Sequence, residues 1–157
     1  MSVVVRPMQA KDVPAVERIF QAYVRGAEGQ DLELEVSGLL GKRTPGLVAL
    51  VALDTKERVA GYLVGEVRAW EFGSEPAGWI FALGVDPKAE RQGLGKALRD
   101  AAIARFRELG IKRVRTMVKK DDVRVLRFFR DAGFSAGPFV ELELELSEAR
   151  GRGGDDD

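Results

Sequence analysis

Residues 85–100 read VDPKAERQGLGKALRD, and this passage decides how the chain folds. Upstream, the apolar run WIFALGV (79–85) ends at Asp86-Pro87. Downstream, Leu94, Ala97, Leu98, Ala101, Ala102, Phe106 and Leu109 recur at helical spacing until Gly110 stops them. Lys112 to Val118 then reads as a strand with Val114, Thr116 and Val118 on one face. A strand–helix–strand unit over 79–118 predicts a right-handed parallel crossover. Between its first strand and its helix lies Arg91-Gln92-Gly93-Leu94-Gly95-Lys96. A helix N-terminus offers unpaired N–H groups and the positive end of a dipole. Gly93 and Gly95 carry no Cβ, so main chain can approach a ligand closely, and Arg91 and Lys96 add positive charge. Two readings stand: an anion site, or an ordinary strand-to-helix turn. A P-loop is ruled out, because Glu90 and Ala97 occupy its first Gly and its Ser/Thr positions. A dinucleotide fingerprint fails at Leu98, where its third Gly belongs.

The rest of the chain fits around this unit. Val3 to Val5 predicts a first strand. Asp12 reads as an N-cap with Pro14 just inside a helix that carries Val13, Val16, Ile19, Phe20 and Val24 and fades at Gly26. A second helix is expected around Leu32 to Leu40. Leu47 to Leu53, Val59 to Trp70 and Trp79 to Val85 predict three strands, with turns at Asp54–Glu57 and Gly73–Gly78. Connections this short predict antiparallel pairing. Asp121 or Asp122 caps a short helix with Val125, Leu126, Phe128 and Phe129, ended by Gly133. Phe139 to Leu146, FVELELEL, alternates as a strand with one solvated face. The expected fold is α+β: one domain over residues 1–146, with a mixed, mostly antiparallel sheet and helices on both faces. Residues 147–157 form a polar tail expected to be disordered.

Composition narrows the chemistry. Twenty-five basic and 25 acidic residues cancel in a chain of 157, so neither nucleic acid nor a membrane surface is an expected partner. No apolar run approaches the ~20 residues of a membrane span, and MSVVVRP lacks a signal-peptide layout, so a cytoplasmic location is expected. Cysteine and histidine are both absent, which excludes disulfides, a thiol nucleophile and Ser-His or Cys-His pairs. The usual zinc ligands go with them, and no metal is expected. Chemistry falls to carboxylates, Tyr, Ser/Thr, Lys/Arg and the backbone.

LGVDPKAERQGLGKAL (83–98) resembles the acyl-CoA-binding segment of the GNAT acetyltransferase family, and LRFFRDAGF (126–134) resembles that family's helix ending in a Gly-Phe pair. The element order agrees over residues 3–146. The resemblance implies a splayed parallel strand pair, with acetyl-CoA as acyl donor lying in the gap. By matching, Leu83, Gly84 and Val85 bond to pantetheine like an added strand. The amides of Arg91, Gln92, Gly93, Leu94, Gly95 and Lys96 cradle the pyrophosphate. A main-chain N–H near Leu83–Val85 polarises the thioester and holds the oxyanion. The acceptor amine attacks directly in a ternary complex, with no covalent enzyme intermediate. Three positions depart from the pattern. Glu90 stands where Arg or Gln is usual, turned outward while Arg91 supplies charge. Asp122 stands where Asn is frequent, either touching the cofactor or capping its helix. Phe129 replaces the Tyr that often protonates the leaving thiolate.

The attacking amine must lose a proton, so a carboxylate or an ordered water is required. Glu66 is the first candidate, set in the apolar strand GYLVGEVRAW on one face with Tyr62, Val64 and Arg68; its structural alternative is an ion pair with Arg68. Glu75 is second. Tyr62 is the candidate acid, against the alternative of a core tyrosine. Glu28, Asp31, Glu33 and Glu35 form either an acidic rim for a cationic amine (lysine side chain, protein N-terminus or small amine) or a solvated helix face. Trp70, Phe72 and Trp79 line an acceptor pocket, support a homodimer, or belong to the core. Two functions remain open: an N-acetyltransferase, or a non-catalytic acyl-CoA-binding sensor or interaction module.

Overall fold

The computed structural model describes residues 3–23, 36–38, 40–41 and 44–147. Strands β1 (Val4–Pro7), β2 (Leu47–Leu53), β3 (Val59–Arg68), β4 (Ala77–Val85) and β5 (Val114–Thr116) form one sheet in that order. The first three pairings are antiparallel, and β4 pairs with β5 in parallel. Helix α1 (Val13–Tyr23) lies between β1 and β2 in the chain, α2 (Leu94–Glu108) between β4 and β5, and α3 (Val123–Arg130) follows β5. Residues 36–38 and 40–41 are helical, inside the stretch where a second helix is expected.

The central strand shows why helices cover both faces. Leu63 of β3 packs with Val48, Ala52, Ile80, Leu98, Ala102 and Phe106, on the α2 side. Its neighbours Tyr62 and Val64 pack with Val13, Val16 and Ile19, on the α1 side. Successive side chains of a strand point to opposite faces, and here both are apolar and buried. Phe106 anchors the α2 layer. A Cβ at Gly78 would lie 2.6 Å from its ring, so β4 runs under that ring only because residue 78 has no side chain.

The strand pair next to α2 separates because β4 carries one extra residue. Val64 faces Ala82 and Gly65 faces Ile80, leaving Phe81 without a partner. A bulge bends its strand and sharpens the local twist. The β4–β5 register accordingly covers only Gly78–Ile80 against Val114–Thr116. β5 is therefore shorter than the expected Lys112–Val118, since residues beyond Thr116 have no neighbour to pair with.

Other departures have equally local causes. Asp12 is not the N-cap of α1. It closes a short 3-10 turn capped by Gln9, accepts from the Gln9 amide at 2.7 Å, and takes two bonds from the Arg6 guanidinium at 2.7 and 2.9 Å. Those Arg6 bonds, above all, hold the buried Asp12 carboxyl below its ordinary pKa. β3 stops at Arg68, and Trp70 and Phe72 adopt left-handed conformations in the turn that follows. Phe139 to Leu146 is not a sheet strand among the described residues, and every residue in it is exposed. Alternation reports which side chains share a face; it does not supply a partner. Val24, Gly26, the acidic positions Glu28 to Glu35 and residues 148–157 lie outside the described residues. No helix among the described residues is long and apolar enough to cross a membrane.

Candidate active site

The site is built on the half of β4 that β5 does not reach. Asp86 donates its amide to the carbonyl of Ala60 at 2.8 Å, which marks that opposed pair as hydrogen-bonded. Pairs alternate along an antiparallel ladder. Tyr62–Gly84 is then the next bonded pair, while Leu63–Leu83 and Gly61–Val85 are non-bonded. The N–H and C=O of Leu83 and Val85 thus point away from β3, into the gap. Those of Gly84 point back to β3. Gly84 has a different tie, since a Cβ there would sit 2.6 Å from the Tyr62 ring.

The glycine turn closes one end of the gap. Asp86 Oδ1 accepts from the Lys88 amide at 2.9 Å and starts a 3-10 turn over Pro87–Ala89. Arg91 and Gly93 then take left-handed conformations, with φ of 70° and 75°. Such residues curl the main chain so that successive N–H groups converge. The amides from Arg91 through Lys96 have no acceptor among the described residues. A Cβ at Gly93 would meet nothing within 4 Å, so this backbone faces open space. At Gly95 a Cβ would be 3.6 Å from both Phe128 and Val85, an ordinary contact, so the chain's own packing does not demand glycine there. Lys96 and Arg91 stand on the same turn, as read from the sequence.

α3 forms the far wall. Asp122 caps it, accepting from the Val125 amide at 3.1 Å, which supports the capping reading. Arg99 of α2 is buried, donates to the Phe128 carbonyl at 2.6 Å and stacks on the Phe128 ring at 4.7 Å. That pair locks the two helices together, and no spacing rule in the sequence marks it.

Two more side chains cross the mouth of the gap. Tyr23, the last residue of α1, donates its hydroxyl to the Val85 carbonyl and lies 3.0 Å from Glu90 Oε1. Glu90 Oε2 is 4.0 Å from Arg124 Nη2. Glu90 therefore turns toward Tyr23 and Arg124, not outward as expected. Burial first, and then the Glu90 carboxylate, push the Tyr23 hydroxyl up to about 12. Sequence reasoning passed over Tyr23. The contact joins residues 62 apart, and only the fold brings them together.

The acid–base candidates do not gather at this gap. Tyr62 is 3% exposed beneath α1, and burial raises its hydroxyl to about 12, with the Glu17 charge adding to the effect. Glu66 shares its face of β3 but lies four residues on, about 13 Å along the strand, where its Oε1 accepts from Arg68 Nε at 3.2 Å. Arg68 in turn lies over the Trp79 ring at 5.4 Å. Phe129 is 6% exposed, edge-on to Phe128 and Phe134 at 5.1 and 5.2 Å. Glu75 is exposed in the β3–β4 hairpin. Gln92 borders a separate open pocket of about 480 Å³, shared with Arg18, Lys56 and Lys88, which contains neither Leu83–Val85 nor Gly93–Lys96. No cluster of three metal-ligating side chains occurs among the described residues.

Comparison with known proteins agrees with this geometry. The family model described as "Acetyltransferase (GNAT) family" matches residues 13–134. Mycothiol acetyltransferase of Propionibacterium freudenreichii subsp. shermanii is 40% identical over 88 residues, which are 55% of this chain and 27% of that protein. The chain thus spans well under half the length of such relatives. Among solved structures, a transcriptional regulator from Bacillus halodurans C-125 superposes with a TM-score of 0.77 at 20% identity, covering 92% of this chain and 100% of that one. An aminoglycoside N-acetyltransferase, AAC(6')-Iy, in complex with CoA, superposes with a TM-score of 0.77 at 14% identity, covering 93% and 96%. At such identities these two establish the fold alone. With the family model spanning both the glycine turn and the helix after β5, the chain belongs to the acetyltransferase (GNAT) family.

Proposed function

We propose that this chain transfers the acetyl group of acetyl-CoA to a primary amine. The observation that carries the reading is one continuous row of free backbone groups: the outward N–H and C=O of Leu83 and Val85, then the unpartnered amides of Arg91 through Lys96. The first part suits the amides of pantetheine, and the second suits a pyrophosphate. In the reaction the amine nitrogen attacks the thioester carbonyl carbon. The oxyanion that develops accepts an N–H from the bulged segment of β4, the C–S bond breaks, and CoA leaves as thiolate. The ammonium proton passes to Glu66 through water, and the thiolate takes a proton from water or from Tyr62. Asp122 serves the site by capping α3, at the wall of the gap.

The acceptor is a small amine, a lysine side chain or a protein N-terminus. The test is release of CoA thiol from acetyl-CoA against a panel of these amines. The chain has no cysteine, so every thiol that appears is CoA. CoA binding without turnover on any amine would replace this reading with a second one, a non-catalytic acyl-CoA sensor. Two observations favour that alternative: Phe129 is a core residue with no proton to give, and Glu66 is tied to Arg68. No binding of CoA would overturn both.

A further inference from the structure

Phe139 to Leu146 has the pattern of a strand with one apolar face, yet it joins no sheet among the described residues. Val140, Leu142, Leu144 and Leu146 are 80%, 88%, 83% and 87% exposed. Scattered apolar side chains on a surface need no explanation, but four in line on one face mark a contact surface. An unpaired segment of this kind also leaves its backbone donors and acceptors open to another chain.

The root of this arm shows where it belongs. Phe139 packs 6.1 Å from Phe72, and the Arg115 guanidinium lies 5.0 Å from its ring. Arg115 is the middle residue of β5, and β5 is the edge strand of the sheet, paired with β4 alone among the described residues. An open edge and an unpaired strand therefore start from one point and stay apart. Their charges are opposite. The exposed residues flanking β5 include Lys112, Arg113, Lys119 and Lys120, while the arm alternates its apolar residues with Glu141, Glu143 and Glu145. Pro138 precedes the arm, lacks an N–H and fixes its own φ, which suits the root of a strand rather than its middle. The corner around that root is apolar as well, with Trp70 and Phe72 held outward by left-handed backbone and Met117 exposed beyond β5.

We propose that two copies of this chain exchange arms, residues 139–146 of each adding to the open β5 edge of the other. The arrangement is self-complementary, because each copy gives one strand and receives one. It closes both edges by a two-fold axis and leaves nothing for a third copy. The acidic face of each arm meets the basic margin of the other copy's β5, and the row Val140–Leu146 covers the apolar corner. The inference does not depend on the acetyltransferase reading.

The chain has no cysteine, so introduced thiols report alone. Met117→Cys and Leu144→Cys, both at exposed positions, are made in separate chains carrying different tags, co-expressed, and treated with a short thiol cross-linker. A covalent species holding one of each chain is expected, together with a dimer mass for the unmodified chain by sedimentation. The double variant Met117→Cys/Leu144→Cys distinguishes the alternative. A link formed within one chain would mean that the arm closes on its own sheet, and would overturn the proposal. So would a monomer at every concentration tested. Deletion after Pro138 is expected to give a monomer. Should that deletion fail to fold, the full-length Leu142→Lys/Leu144→Lys variant gives the same readout at exposed positions, and a dimer that persists in it would also overturn the proposal.

Discussion

The donor side and the acceptor side of this molecule are specified in different ways. The donor side is made of main chain: the outward edge of Leu83 and Val85 and the free amides of Arg91 to Lys96. Main-chain geometry of this kind is enforced over a few consecutive residues by glycines, a proline and a helix start, so it leaves a contiguous trace in the sequence. The acceptor side is made of side chains from distant segments. Tyr62 and Glu66 on β3, Tyr23 at the end of α1 and the hairpin aromatics meet, or fail to meet, through tertiary structure alone. If that division is right, damage to the turn should abolish binding outright, whereas single changes on the acceptor side should give graded effects.

Gly93→Glu is the harshest test. It places bulk and negative charge where six amides face open space. Loss of CoA affinity by more than a hundredfold is expected by calorimetry, above about 2.7 kcal/mol. The site itself has room for a side chain, so the fold should survive; the left-handed φ of 75° adds strain of roughly 1 kcal/mol. Gly93→Ala isolates that strain and should bind CoA nearly as the parent does. Unchanged affinity in Gly93→Glu would mean that the turn only connects a strand to a helix.

Gly84→Ala attacks the seam between the two sides. The new methyl would lie 2.6 Å from the Tyr62 ring, with α1 packed behind it. Overpacking of this kind costs about 1–3 kcal/mol, to be read as a lower denaturant midpoint. Tyr62→Leu in the same chain should restore part of the loss. An undiminished midpoint would mean that the Tyr62 ring moves aside readily, and that it is available to the acceptor side after all.

These contrasts explain what the sequence could and could not disclose. Leu47–Leu53 was readable to the residue because its ends are set by local turns. The bulge at Phe81 was not, since β4 looks uniform in sequence and the extra residue appears only against the register of β3. Asp12 has the residue type of an N-cap, but Arg6 claims its carboxylate from the neighbouring strand. The arm at 139–146 was recognisable as strand-forming, while its partner strand is a tertiary or quaternary fact. At the site, the turn was legible through Gly93, and Tyr23 and Arg99 were not, because each acts on a main-chain carbonyl far away in sequence.

Glu66→Gln tests the acceptor side directly. With Glu66 as base through water, kcat should fall about tenfold, modest for general-base catalysis because water can partly substitute. KM for acetyl-CoA should hold, since Glu66 lies on β3 beside Arg68 and away from the free amides. A change below about twofold in kcat would assign the proton to water alone. Arg68→Gln separates the two roles of the carboxylate, because it frees Glu66 from its 3.2 Å partner while leaving it charged.

Tyr23→Phe should give the smallest effect, and its sign is the informative part. The hydroxyl is bonded to the Val85 carbonyl, one of the outward groups offered to pantetheine, and to Glu90 at 3.0 Å. Binding of the donor must replace the first of these bonds. Removing the hydroxyl spares that exchange, so CoA should bind about threefold tighter, or roughly 0.6 kcal/mol, the low end for a half-exposed hydrogen bond. Weaker binding would mean instead that Tyr23 stays and holds the ligand, moving it from the gate of the donor site to its wall. Glu90→Gln provides the contrast. It keeps a hydrogen-bonding partner for Tyr23 but removes a negative charge next to the pyrophosphate cradle. Its gain should therefore shrink as salt is raised, while that of Tyr23→Phe should not. Because the Tyr23 hydroxyl sits near 12, it stays protonated throughout neutral pH, and the Tyr23→Phe effect should be flat there. A pH-dependent effect would place the titrating group at Glu90 and leave Tyr23 as its reporter.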